Sequence, residues 1–301
     1  MKVMICANLL IGDPGVLNMS GDLLMQWHAE KIEALAVALE SGRDAGAQVC
    51  IMAGGLFAEG FISQKLLDEA VEELGSHDIP VIWLPLQREA ADLATRVSVP
   101  EGVTVLRDCS RDVVEGLRVL HGGDGVEVSL RLADGSVIRK LGLLEPMGFG
   151  DQAGSGFLLA DVVDGAVANV QEVPCALHPF ITRYADMSGK DSSKDLLAAI
   201  QGSIEGVAQH ECLRLVLRGA TPLSAYFKTS ELERVLANRF FYAEVANECT
   251  VALDESDLEG DVSLLAEFVR IVDADDSLSS VEKARVMRCG WNALNGKELA
   301  E

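Results

Sequence analysis

Three short apolar runs, Val3–Ala7, Val49–Ala53 and Pro80–Leu84, are separated by stretches whose apolar residues recur every three to four positions. That alternation leaves few folds open. The runs are too short for helices and almost wholly apolar, the pattern of strands buried on both faces. Ser20 is placed to cap a helix reaching about Gly42, with Leu24, Trp27, Ile32, Leu35 and Leu39 on one stripe. A second helix is expected over about Ile62–Leu74, its Leu66, Leu67, Ala70, Val71 and Leu74 turned to the core and Gly75 ending it. Strand–helix–strand–helix–strand predicts parallel strands with right-handed crossovers. In such sheets ligands gather outside the carboxyl ends of the strands. Past Ala53 stand Gly54, Gly55, Leu56, Phe57 and Ala58, with no acid, base or nucleophile among them.

Beyond Pro100 the pattern changes. Short runs at Val103–Leu106, Leu117–Leu120, Val126–Leu132, Val137–Leu141 and Phe157–Val163 are separated by Gly-Gly-Asp-Gly, Ala-Asp-Gly and Asp-Gly, which are hairpin signals. They predict an antiparallel meander forming the second sheet of a sandwich. Pro174–Gly189 reads as a linker. After it come an expected helix (Ser192–Ile204), strand (Cys212–Leu217), helix (Ser230–Asn238), strand (Phe240–Glu248) and two helices (Leu258–Val272 and Ser279–Leu294). The expected domains are 1–172 and 173–301.

Forty-seven acidic against 25 basic residues give a formal charge of −22. Such an excess repels phosphates, because non-specific nucleic-acid affinity comes from Lys and Arg displacing counterions; strong direct nucleic-acid binding is not expected. The seven cysteines are scattered singly, with no Cys-x-x-Cys pair, which fits reduced thiols rather than a disulfide framework or a zinc site. The N-terminal Met1–Asp13 has one Lys, no small-residue cleavage site and an immediate Asp-Pro-Gly, so it does not read as a secretion signal. No apolar run approaches the roughly 20 residues of a membrane span. A cytoplasmic protein is expected.

The ends of the first three strands read Ala7-Asn8-Leu9-Leu10-Ile11-Gly12, Ala53-Gly54-Gly55-Leu56-Phe57 and Pro80 to Glu89. In order and spacing they resemble the Asp-x-His, Gly-Asp-Leu-Phe and Gly-Asn-His-Asp motifs of calcineurin-like metallophosphoesterases, and most specifically the SbcD/YhaO-type DNA repair exonucleases. Glu145–Asp151 with Gly156–Leu159, Arg214–Gly219 and Gly290–Leu294 are similar to later segments of that family. The resemblance implies an α/β (α+β) fold: a metallophosphoesterase-like two-sheet sandwich flanked by helices, with a small C-terminal α+β capping domain.

It also implies two divalent metals, usually manganese, that activate water against a phosphodiester and need anionic or imidazole ligands. Here the departures are chemical. The first Asp falls on Asn8, the first His on Leu10, the bridging Asp on Gly55, the Asn on Gln87 and the leaving-group His on Arg88. Roughly 55 residues separate Glu89 from Glu145, and they hold no Gly-His-x-His. The expectation is a shortened domain with no bound metal and no catalytic residues.

Few other residues are placed to replace these ligands. Asp13 lies in an Asp-Pro-Gly turn. His28 falls on the stripe of the first helix, His77 follows a helix stop, His121 sits at a hairpin, and His178 and His210 flank elements of the second domain. Arg88, with Lys65, offers a cation for a phosphate, and a ligand-sensing pocket around Asn8, Asp13, Gly55, Gln87 and Arg88 is one reading. In the last two helices Leu265, Phe268, Val269, Val272 and Trp291 lie on apolar faces. They suit either packing on their own domain or docking on a partner. The resemblance implies such a partner, an SMC-like or SbcC-like coiled-coil ATPase, and pairing of two copies through the N-terminal domain. The favoured expectation is an inactive exonuclease relative that serves as structural or regulatory partner of that ATPase in DNA repair or genome defence. The rival is a manganese-dependent exonuclease or phosphoesterase with displaced ligands.

Overall fold

The computed structural model describes residues 1–15, 19, 21–58, 62–86, 89, 96–107, 111–122, 125–151, 155–190, 192–223, 229–252 and 263–296. The chain forms two compact units, Met1–Pro179 and Phe180–Glu301. Its class is mixed α/β, of the α+β kind.

In the first unit, β1 (Lys2–Ala7), β2 (Val49–Ala53), β3 (Val81–Leu84) and β4 (Val103–Val105) are parallel, linked early on by α1 (Gly21–Asp44) and α2 (Gln64–Gly75). On the far side of β1, β8 (Phe157–Val163) runs antiparallel to it and pairs with β9 (Ala166–Val173), giving the order β4-β3-β2-β1-β8-β9. A separate antiparallel sheet holds β5 (Leu117–Gly122), β6 (Gly125–Leu132) and β7 (Gly135–Lys140).

The period of two along the strands sorts the core into layers. Met4, Cys6, Cys50 and Met52 face Leu35, Ala38 and Leu39 of α1 and Leu67, Val71 and Leu74 of α2. Val3, Ile5, Val49 and Ile51 face the other way, onto Leu117, Val119, Val126 and Val128 of the small sheet. Each such side chain contributes roughly 1.5–3 kcal/mol on burial, which is why strands this short are apolar on both faces. The second helix starts where its cap allows: the Ser63 hydroxyl accepts from Leu66 N at 3.3 Å.

Some elements differ from expectation. Val103–Val105 is not part of the meander but the parallel edge beside β3, and Phe157–Val163 returns to the main sheet beside β1. Tight turns fix only immediate neighbours, and long connections precede both strands. β9 was unforeseen because its outer face is polar; Asp164 and Gly165, at φ 49° and 75°, make the two-residue turn that joins it to β8. The supposed linker at 174–189 contains β10 (Phe180–Asp186), a strand hidden between Pro174, Pro179 and Gly189.

The second unit has a parallel sheet, β10-β11-β13, with β11 at Cys212–Arg218 and β13 at Tyr242–Asn247. Helices α3 (Ser193–Ser203) and α4 (Thr229–Ala237) contribute Ile200 and Leu236 to its core. A short pair, β12 (Ala220–Thr221) with β14 (Thr250–Val251), adjoins α5 (Leu264–Asp273) and α6 (Ser280–Leu294). Ser279 and Glu282 close a capping box at the start of α6. Among the described residues no helix is long and apolar enough to cross a membrane.

Arg288 of α6 ties that helix to the short pair. Its guanidinium donates to Thr221 Oγ1 (2.7 Å), Thr250 O (3.0 Å) and Cys249 O (3.2 Å), and burial lowers its pKa. Replacing Arg288 with Met strands three acceptors, one of them the buried Thr221 hydroxyl. The expected loss is about 2–4 kcal/mol in urea denaturation; a change within about 0.5 kcal/mol would show that the guanidinium is not a structural tie.

Candidate functional site

The carboxyl ends of β1, β2 and β3 are where the resemblance would put a two-metal site. Pairing does not stop at the strand ends. Asn8 N donates to Ala53 O (3.3 Å), Leu10 N to Gly55 O (3.1 Å), Ile11 N to Leu56 O (2.9 Å) and Ala58 N to Ile11 O (2.9 Å). The loops after β1 and β2 are thereby zipped together. Asn8 and Leu10 adopt left-handed backbone, φ 52° and 53°. For Leu10 this costs on the order of 1–2 kcal/mol, and the loop holds it from both sides. Its carbonyl accepts from Lys31 Nζ (2.9 Å) and Asp13 N (3.1 Å), while its N–H is bonded to Gly55.

Gly54 and Gly55 show what fills the space. A Cβ on Gly54, at φ 77°, would lie 2.5 Å from Asn8 Oδ1 and 2.4 Å from Val126 Cγ2. One on Gly55 would lie 2.8 Å from Leu10 Cδ2 and 3.6 Å from Leu86 Cδ1. Leucine methyls occupy this crevice, where the resemblance would put a bridging carboxylate and an imidazole. The donors at Asn8, Leu10 and Gly55 do not fit two dications, which need hard anionic or imidazole ligands. Among the described residues no three His, Cys, Asp or Glu side chains gather closely enough to hold a metal ion.

Beneath the loops lies a buried charged cluster. Lys31, 1 % exposed on α1, donates to Leu10 O and to Met147 Sδ (2.7 Å) and sits 5.2 Å from the centre of the Trp27 ring. Burial pushes its pKa down to about 8, opposed by the carboxylates of Asp13 and Glu145. Glu145, also 1 % exposed, accepts from Leu177 N (2.9 Å) and His178 N (2.7 Å), and burial raises its pKa. His178 Nε2 is bonded in turn to Glu30 of α1. His178 therefore belongs to the first unit and not, as expected, to the second; the misplaced linker had moved it there.

Glu89 bolts the crevice. Its Oε1 accepts from Phe57 N (2.7 Å) and its Oε2 from Leu86 N (2.8 Å), joining the loops after β2 and β3. Burial raises its pKa to about 7 against the pull of those N–H groups.

Beside this closed crevice a cleft of about 820 Å³ opens at the end of β1. Asn8, Lys140, Gly142, Asp151, Ser155 and Glu172 are among the residues lining it. Of the residues chosen from sequence, Asn8 borders the cleft, while Gly55 is packed in the closed crevice. Asp13 accepts from Gly15 N (2.8 Å) as a turn residue. Gln87 and Arg88 lie outside the described residues. Lys65 points to solvent, 3.5 Å from Glu69. His28 is half-buried and its pKa lowered by burial, Lys31 adding to that effect. His77 bonds Glu73 at 2.6 Å, His121 falls on β5, and His210 is exposed ahead of β11.

In the second unit Val269 and Val272 are buried with Met287, and Leu265 and Phe268 pack on them. These candidate docking residues thus serve their own unit. Trp291, on α6, is half-buried. The open side of α5 carries Leu264 and Ile271 instead, 71 % and 63 % exposed.

Sequence reasoning missed Lys31, Glu89 and Glu145. Lys31 had a signal: it continues the buried row Trp27, Ala34, Leu35 and Ala38. Glu89 and Glu145 had none, because they bind backbone N–H groups brought together only by folding.

No protein-family model and no curated protein matches this chain.

Glu89→Gln leaves one acceptor for two N–H groups and turns an amide N–H₂ against the other, at an expected cost of about 1–3 kcal/mol. Because the folded pKa of about 7 stands above the ordinary 4.5, the Glu89 contribution is present below pH 4.5 and lost as pH rises through 7. The stability gap between wild type and variant, from urea midpoints, should therefore narrow across that window. A gap independent of pH would remove Glu89 as the titrating bolt.

Proposed function

We propose that this chain is a catalytically inactive relative of the SbcD/YhaO-type exonucleases, with a metallophosphoesterase-like first unit. Its role is that of structural or regulatory partner to an SMC-like or SbcC-like coiled-coil ATPase in DNA repair or genome defence. The observation that carries the reading is the strand-end crevice, where Leu10 and Leu86 methyls surround Gly55 and the flanking loops are bonded shut. A site that activates water needs charge and an open coordination position, and hydrocarbon supplies neither. The net charge of −22 favours contact with a protein over a grip on phosphates. The exposed Leu264 and Ile271, two turns apart on α5, give a helix face for docking.

Two measurements test this. With Mn²⁺ present, hydrolysis of a chromogenic phosphodiester should stay at the rate of buffer alone; turnover that falls on replacing a strand-end residue would favour the manganese-dependent enzyme instead. Purification from the native host should carry along a coiled-coil ATPase, and Leu264→Glu with Ile271→Glu should release it. Both positions are exposed, so the fold is expected to survive. A complex untouched by the double substitution contradicts docking through α5.

A further inference from the structure

The cleft at the end of β1 takes no part in the reading above, and its walls have a chemistry of their own. It lies where the main sheet changes direction, since β1 has parallel β2 on one side and antiparallel β8 on the other. Outside the carboxyl ends of its strands is the general ligand position of an open α/β sheet, and here the carboxyl end of β1 lies beside the start of β8. Its volume, about 820 Å³, falls within the usual range for small-molecule sites, roughly 300–1,000 Å³. Ile5, Leu141, Leu143, Phe157, Leu158 and Val173 give it an apolar lining.

Lys140, at the end of β7, and Glu172, on β9, line the cleft from different sheets. Both are exposed, and neither makes an ion pair with another described residue. Asp151 adds a second carboxylate, of which Oδ2 already accepts from Met147 N at 3.2 Å. A simple anion would meet two carboxylates here, and a simple cation would leave Lys140 unanswered. A molecule carrying both charges at the ends of an apolar body answers each group. We propose that this cleft binds an apolar zwitterion of amino-acid or short-peptide size. Its ammonium lies toward Glu172 and Asp151, its carboxylate toward Lys140 and its side chains on the apolar lining. The inference does not depend on the inactive-nuclease reading, and an ATPase partner neither supports nor harms it.

Calorimetric titration of the full chain with the dipeptide Leu-Leu tests it, alongside N-acetyl-Leu-Leu, which lacks the ammonium, and Leu-Leu amide, which lacks the carboxylate. Leu-Leu should bind, and each blocked form should bind about tenfold more weakly, the loss expected for one charge-assisted contact. Glu172→Gln should weaken Leu-Leu similarly yet leave the acetylated peptide unaffected, and Lys140→Met should leave the amide unaffected. No binding heat up to about 10 mM Leu-Leu, blocked peptides binding as well as the parent, or tighter binding of adenosine monophosphate would each overturn the proposal.

Discussion

The first unit depends on a central strand with no solvent face. Val3, Ile5 and Ala7 of β1 press on the small antiparallel sheet, and Met4 and Cys6 press on the helices. Polar side chains are excluded by burial on both faces, so chemistry can attach only where β1 ends. At that end two residues, Asn8 and Leu10, depart from ordinary backbone. Their left-handed conformation persists because neighbours over-determine it. Gly55 O and Lys31 Nζ grip Leu10 from opposite directions, and Glu89 fixes the adjoining loops.

This arrangement explains why buried charge survives where no catalysis is proposed. Lys31, Glu145 and Glu89 spend their hydrogen bonds on main-chain groups of irregular segments, except for the Lys31 contact to Met147 Sδ. A loop that must run through the interior has N–H and C=O groups that no ladder satisfies. A carboxylate with two acceptor oxygens can serve two such N–H groups at once, as Glu89 and Glu145 both do. The raised pKa values of these acids are a consequence of burial and mark structural bolts as readily as reactive groups.

How far the sequence could be read follows from which interactions are local. The bounds of β2 came out of its apolar run, and the expected start of the last helix at Ser279 is where the structure places the cap, because both are set within a few residues. The places of β4 and β8 are not, because strand partnership across a long connection leaves no local trace. At the strand ends, the lack of an acid or imidazole at Leu10 and Gly55 was visible, since it is a matter of residue type. The cleft beside them was not. Lys140 and Glu172 lie 32 residues apart and line one cleft only because the fold brings β7 and β9 to it. The stripe of α5 at Leu265, Phe268, Val269 and Val272 packs within its own unit, and periodicity alone does not say whether an apolar face meets its own domain or a partner.

The crevice at Gly55 carries the account, and native mass spectrometry of the full chain after incubation with excess Mn²⁺ addresses it most directly. A hydrocarbon-filled crevice predicts the mass of the bare polypeptide, with at most weak adducts that dilute away. A population carrying two manganese ions per chain, resistant to dilution and abolished by replacing Asn8 or Asp13, would contradict it.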